Sequence, residues 1–183
     1  MIFTPTPLPG AYLIEPRKIE DDRGFFARIL CEKEFVTQNL RLHLPQTNIA
    51  RSYHRGTLRG LHFQEPPHAE IKIVRCTKGA VYDVIVDMRP SSPAFKGWFG
   101  VELTQDNFKA LYVPEGFAHG FLSLTDDSEI YYHTSEFYHP ESCRGVRYDD
   151  PEFGIVWPIE IAVISRQDRE WPDFATRAAV AQV

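Results

Sequence analysis

The chain reads as an all-β protein, an antiparallel sandwich or barrel, on three observations. Short apolar segments recur about every ten residues with Gly, Pro or Asp between them, the rhythm of antiparallel strands rather than of βαβ units. The segments are rich in Val, Ile, Phe and Tyr, and thirteen Phe and eight Tyr lift the aromatic share to 13%, which suits a pleated, half-buried surface. Helix-forming composition is confined to 32–39, where the pattern is weak, and to the alanine-rich tail 177–182.

In chain order, a proline-rich start leads into a strand over 11–15. Glu20-Asp21-Asp22-Arg23-Gly24 is a charged turn that sets Arg23 at the mouth of the next strand, 25–30. Strands follow over 46–53, 57–63, 71–76 and 80–87, separated by a His54-Arg55-Gly56 turn, a Pro66-Pro67 corner and a Lys78-Gly79 turn. In 80–87, Val81, Asp83, Ile85 and Asp87 share one face and Tyr82, Val84 and Val86 the other. Asp83 is thereby directed toward a polar-lined interior. After the Pro90-Ser91-Ser92-Pro93 loop come strands over 98–103, 110–113 and 131–134.

The chain has 183 residues, no internal repeat and no low-complexity linker, so one domain over 1–183 is expected. Its 20 basic and 25 acidic residues give a net charge of −5, and no Lys/Arg block could track a nucleic-acid backbone. A small anionic ligand gripped by a few arginines remains open. Cys31, Cys76 and Cys143 are odd in number and form no CxxC pair, against a disulfide scaffold or zinc ribbon and in keeping with reduced thiols in the cytoplasm. Residues 1–10 lack a basic n-region, and no apolar run approaches about 18 residues, so neither a signal peptide nor a membrane span is expected.

The most chemically suggestive stretch is Arg59-Gly60-Leu61-His62-Phe63-Gln64 with Lys72 beyond it. A hairpin symmetric about Pro67 would pair positions 62 and 72 across it. An ammonium beside His62 would disfavour imidazolium, preserving a neutral base, and could stabilise an oxyanion nearby. Removal of a proton beside a carbonyl needs both functions. On these two residues alone, a surface-strand histidine and a solvated lysine remain the competing reading.

Pro114-Glu115-Gly116-Phe117-Ala118-His119 resembles the second signature of the cupin jelly roll, whose histidine points into the barrel. Where metal-binding cupins carry a second histidine in the first signature, this chain has Gln64, which disfavours a transition-metal site in the barrel. As residues alone, His119 is open between a hydrogen-bonded interior histidine and a ligand contact.

Those motifs line up with others over almost the whole chain. Asp22-Arg23-Gly24-Phe25-Phe26, Gln46, Asn48, Leu58 to Gln64, Lys72, Asp83 to Arg89, Ser92-Pro93, Pro114 to Phe121, Tyr132, Tyr138, Asp149-Asp150-Pro151 and Ile155-Val156-Trp157-Pro158 occur in the order and spacing of one family. The chain resembles the dTDP-4-dehydrorhamnose 3,5-epimerases from about residue 20 to residue 168.

The resemblance implies a cupin-type jelly-roll barrel with a few short helices, free of metal and cofactor and commonly dimeric. It implies epimerisation at C3 or C5 beside the 4-keto group of a nucleotide-activated 6-deoxyhexose. On matching positions, His62 is the base, Asp168 the carboxylate that fixes its tautomer, Lys72 the stabiliser of the enolate oxygen and Tyr132 the acid on the opposite face. The implied substrate-binding residues are Arg23, Phe26, Gln46, Asn48, Arg59 and His119, with Tyr138 stacking on the base.

Some positions depart from the family pattern. Arg28 and Cys143 stand where glutamates are usual, Arg51 and Tyr53 where serines are usual, and Gln167 where a lysine precedes the dyad aspartate. A guanidinium in place of a carboxylate reverses the hydrogen-bond code shown to a base, so a cytidine or guanosine sugar competes with a thymidine one. The rival readings are a single-site epimerase, a silent nucleotide-binding cupin and a metal-dependent oxygenase.

Overall fold

The computed structural model describes residues 1–175, and the alanine-rich stretch 177–182 lies outside them. Two sheets face each other. The first orders β1 (Ile2–Pro5), β2 (Tyr12–Glu15), β10 (Ala110–Val113), β7 (Lys72–Lys78), β12 (Ser128–Thr134) and β5 (Gln46–Ser52). The second orders β13 (Cys143–Gly145), β6 (Thr57–Gln64), β11 (Phe117–Ser123), β8 (Ala80–Asp87) and β9 (Trp98–Thr104), with the short β14 (Val163–Ile164) parallel to β6. Neighbours are mostly non-consecutive and otherwise antiparallel, the jelly-roll arrangement that closes two sheets into a barrel. A hairpin of β3 (Lys18–Asp21) and β4 (Gly24–Ala27) stands as a separate sheet.

Three apolar layers hold the barrel. Its interior packs Val74, Cys76, Leu111 and Ile130 of the first sheet against Val81, Ile85, Leu103, Phe117 and Phe121 of the second. Outside the first sheet, α1 (Glu32–Val36) seals Ile14, Ile73 and Tyr112 with Phe35. That ring is fully buried and meets Phe3 edge-on at 5.2 Å; burying one such side chain stabilises by about 1.5–3 kcal/mol. Outside the second sheet, Leu61, Val84, Val86 and Ala118 lie beneath Phe153, Trp157 and Phe174 from the C-terminal segment.

The strands expected over 11–15, 46–53, 57–63, 71–76, 80–87, 98–103, 110–113 and 131–134 all form, within a few residues of those bounds. The split of β8 also holds, with Val81 and Ile85 inside, Val84 and Val86 outside and Asp83 fully buried. Strand β11 was not among the strands expected. It lies between β6 and β8 with every residue buried, so both of its faces are covered and no alternation shows in the sequence.

The hairpin joining 57–63 to 71–76 is wrong. Strands β6 and β7 belong to different sheets, and residues 65–71 carry the chain across. The one-turn helix α2 (Arg166–Arg169) was not marked by the sequence pattern. Among the described residues no helix is long and apolar enough to cross a membrane.

Candidate active site

The site is built at one end of the barrel, where both sheets turn polar side chains inward. On the first sheet, Tyr132 pairs with Asn48 and Val74, and Thr134 with Gln46 and Lys72. Directly paired residues share a face. Lys72, Tyr132, Asn48 and Gln46 therefore line one wall, continuous with the apolar Val74 and Ile130 deeper in.

The opposite wall depends on an irregularity. Strict alternation would send Arg59 and His62 to opposite faces of β6, but Phe121 pairs with Arg59 while His119 pairs with His62. Three steps on β6 thus match two on β11, a bulge that turns both side chains toward the cleft. Gly60 makes this possible. Its φ is +116°, and a Cβ there would sit 2.6 Å from the Gly120 Cα, so no other residue fits.

The two walls, with β14 and α2 along one side, enclose a cavity of about 550 Å³ lined among others by Arg59, His62, Lys72, His119, Tyr132 and Asp168. It adjoins a smaller chamber of about 200 Å³ lined by Gln46, Asn48, Glu70, Tyr138 and Cys143. His62, Lys72 and Tyr132 border both.

His62 Nε2 lies 2.5 Å from Asp168 Oδ1. Asp168 is buried and positioned by α2, whose N-cap Ser165 accepts the Asp168 N–H at 3.0 Å; Gly60 N–H donates to its other oxygen at 3.3 Å. Burial alone would raise this carboxyl, but the His62 hydrogen bond and charge, helped by Gly60 and Ser165, hold it below the ordinary carboxylate range. An ionised Asp168 accepts the Nε2–H, and Nδ1 is left as the ring atom able to take a proton.

Lys72 does meet His62, though not by pairing across a hairpin. Its Nζ donates to the His62 carbonyl at 3.2 Å, across the gap between the sheets, and forms an ion pair with Glu70 at 3.0 Å. Burial, reinforced by Glu70 and opposed by Arg59, pushes the Tyr132 phenol above its usual value, so it carries its proton at neutral pH. His119 Nε2 lies 3.0 Å from both oxygens of Asp83, and both residues are buried.

Arg59 Nη2 donates to the Arg51 carbonyl at 2.9 Å, which holds its fork at the mouth of the larger cavity. Gln46 Nε2 donates to Asn48 Oδ1 at 3.1 Å, and Tyr138 lies exposed at the rim of the smaller chamber. Nine of the eleven expected site residues therefore meet in one cleft. Arg23 and Phe26 do not. They lie exposed on the β3–β4 hairpin, Arg23 is bound to Asp21 at 2.5 Å, and Phe26 lines a separate hollow with Arg17 and Arg28.

Two features of the cleft were not read from the sequence. Glu70 is the half-buried partner of Lys72, and its only signal is an acid two positions before a base at a strand entry. Ser165 caps α2, and Ser-x-x-Asp is the cap spacing that marks it. Of the departures from the family pattern, Cys143 faces the smaller chamber, whereas Arg28 lies exposed at the separate hollow of Phe26, with Glu34 at 3.2 Å.

The arrangement combines a base with a fixed tautomer, a nearby ammonium and a protonated phenol on the facing wall. Such a set can carry a proton to and from a carbon acid next to a carbonyl. Comparison with known proteins agrees. Residues 5–176 match the family model of dTDP-4-dehydrorhamnose 3,5-epimerase. The dTDP-4-dehydrorhamnose 3,5-epimerase of Methanothermobacter thermautotrophicus is 43% identical over 173 residues, covering 92% of each chain. The crystal structure of the enzyme of that name from Elizabethkingia anophelis NUHP1 superposes with a TM-score of 0.94 at 39% identity, over 97% of this chain and 98% of that one. ChmJ, a 3'-monoepimerase from Streptomyces bikiniensis solved in complex with dTDP-quinovose, gives 0.89 at 35% identity, over 98% and 91%. The chain belongs to the dTDP-4-dehydrorhamnose 3,5-epimerase family, and with it to the isomerases.

Proposed function

We propose that this chain inverts C3, C5 or both of a nucleotide-linked 4-keto-6-deoxyhexose, serving deoxysugar or surface-polysaccharide synthesis. The observation that carries the reading is the His62–Asp168 dyad, open to the same cavity as Lys72 and Tyr132. His62 Nδ1 takes the proton from the carbon beside the ketone, and the C–H electron pair moves into the enolate. The Lys72 ammonium stabilises the enolate oxygen, and Asp168 stabilises the imidazolium. Tyr132, on the facing sheet, returns a proton to the opposite side of the planar carbon; tyrosinate and imidazolium then re-equilibrate with water. No electrons are exchanged with a cofactor at any step.

Arg59 and His119 suit the diphosphate, and Gln46, Asn48 and Tyr138 in the smaller chamber suit the nucleoside. Thymidine is the base named for the relatives, but Cys143 in that chamber favours a test of other bases. Offering dTDP-, CDP- and GDP-linked 4-keto-6-deoxyhexoses to the protein and identifying the products by NMR tests both points. Inversion of the thymidine sugar alone removes the cytidine and guanosine alternatives, and no inversion of any of them defeats the reading.

Arg23 and Phe26 enter the scheme through a homodimer. A two-stranded hairpin is marginal alone in water, and β3–β4 exposes Ile19 and Phe26, each at 69%. We place this arm against the cleft of a second copy, where Arg23 and Phe26 meet substrate. Mixed dimers of R23A and H62A chains would then regain activity that neither homodimer has; an arm acting on its own chain gives no recovery. The reading includes one domain over 1–183 in the cytoplasm, in keeping with three free cysteines.

A further inference from the structure

A second cluster of reactive side chains lies outside the barrel, on the two loops that border the smaller chamber. His68 belongs to the crossing segment after β6, and Glu136, His139 and Glu141 belong to the segment after β12. We propose that His68, Glu136 and His139 form a binding site for a divalent transition-metal ion of the zinc type, one per chain.

The donor set and its geometry carry the assignment. One ligand atom from each of the three residues lies within 4.8 Å of the others. The two imidazoles stack nearly parallel, with centroids 3.5 Å apart. His139 Nε2 and Glu136 Oε1 are 3.9 Å apart, too far for a hydrogen bond. Bonds of about 2.0–2.2 Å from a tetrahedral ion place its ligands roughly 3.3–3.5 Å from one another. The three donors need to close by about 1 Å, with the stacked rings splaying to aim both nitrogens at one point.

The surroundings resemble those of a built metal site. Glu141 Oε1 sits 3.1 Å from His139 Nδ1. A carboxylate there fixes the proton on Nδ1 and leaves the Nε2 lone pair facing Glu136, the carboxylate–histidine–metal relay that orients ligating histidines. The two loops are also held together before any ion arrives. The buried Gln64 amide donates to the carbonyls of His68 and Phe137 at 3.0 Å each and accepts the His139 N–H at 2.6 Å. The glutamine that replaces an interior metal ligand thus anchors both loops that carry the exterior donors.

Tyr138 lies between Glu136 and His139, so an ion here pins the segment that bears it. The consequence for substrate, which rests on the nucleotide reading of that chamber, is a lower KM with kcat unchanged. The binding itself does not depend on that reading.

The test is to strip the untagged protein of metal and titrate it with Co2+, following its visible absorption, and with Zn2+ by calorimetry. Expected are one ion per chain, an intense tetrahedral-type cobalt band, and affinity at least tenfold weaker in H68A and in H139A. E141Q is expected to bind about tenfold more weakly, as loss of an outer carboxylate does, while H62A binds as the unchanged protein does. Binding well below one ion per chain, H139A binding as tightly as wild type, or loss of binding in H62A would each overturn the site. Normal binding without any change in KM would leave the site standing and remove only its link to Tyr138.

Discussion

Two histidine–aspartate pairs sit side by side in this barrel, on residues that face each other across β6 and β11. They use the same chemistry to different ends. The His62 side chain is 38% exposed and touches one oxygen of Asp168 at 2.5 Å, so one ring nitrogen is free for the cleft. The His119 side chain is 8% exposed and straddles both oxygens of Asp83, itself at 0%, in the middle of β8. Asp168 comes from a separate capped turn docked against the barrel, whereas Asp83 is part of the sheet. Access, rather than residue type, separates the histidine proposed as base from the one fixed in the wall of the site.

The comparison is broken most easily at the two carboxylates. D168N removes the anion that holds the His62 tautomer, and kcat is expected to fall about 10²- to 10⁴-fold, the span of one placed acid–base group, with folding intact by circular dichroism. A loss of similar size in D83N would erase the distinction. Next is Y132F, in which the base still works but the opposite-face donor is gone. Inverted product should fall about 100-fold while exchange of the abstracted hydrogen with solvent continues; loss of both together would place Tyr132 on the same side as His62. In the unchanged protein, the raised Tyr132 phenol sets the alkaline limb of kcat above the ordinary phenol value near 10.

D83N is expected to act on stability instead. Leaving a buried partner unsatisfied costs about 1–3 kcal/mol, a Tm drop of several degrees at this length, with kcat changed less than about tenfold. The smallest effect is in acid. Asp168 has a folded pKa below its unfolded one, so its contribution is complete above about pH 4 and is lost as pH falls through the lower folded value. The stability gap between wild type and D168N in urea should therefore narrow from about pH 6 to pH 3. A gap that widens would reverse the sign assigned to Asp168.

Much of this was legible in the sequence because strands with one covered face announce themselves. In β8 the inner Val81 and Ile85 alternate with the outer Tyr82 and Val84, and both the strand and the burial of Asp83 followed. Where both faces are covered the signal vanishes, as in β11. Pairing across sheets is also silent in the sequence. Lys72 reaches His62 from the facing sheet, so the expected neighbours were right and the expected hairpin wrong. The bulge at Gly60 has no local signature beyond the glycine itself. Asp168 was legible only through the family pattern, because 106 residues separate it from the histidine it holds. Arg23 and Phe26 lie on the exposed β3–β4 hairpin away from the cleft, so their place in the site rests on the family pattern and the proposed dimer.

The claim under all of these is that the His62 ring lifts hydrogen from the carbon next to the ketone. The direct measurement is deuterium uptake at C3 and C5 of the keto sugar in D₂O, followed by NMR for the unchanged protein and for H62A. The unchanged protein should label at least one of the two carbons within its turnover time, and H62A should label neither above the uncatalysed rate. Labelling by H62A at an undiminished rate would mean that another group is the base.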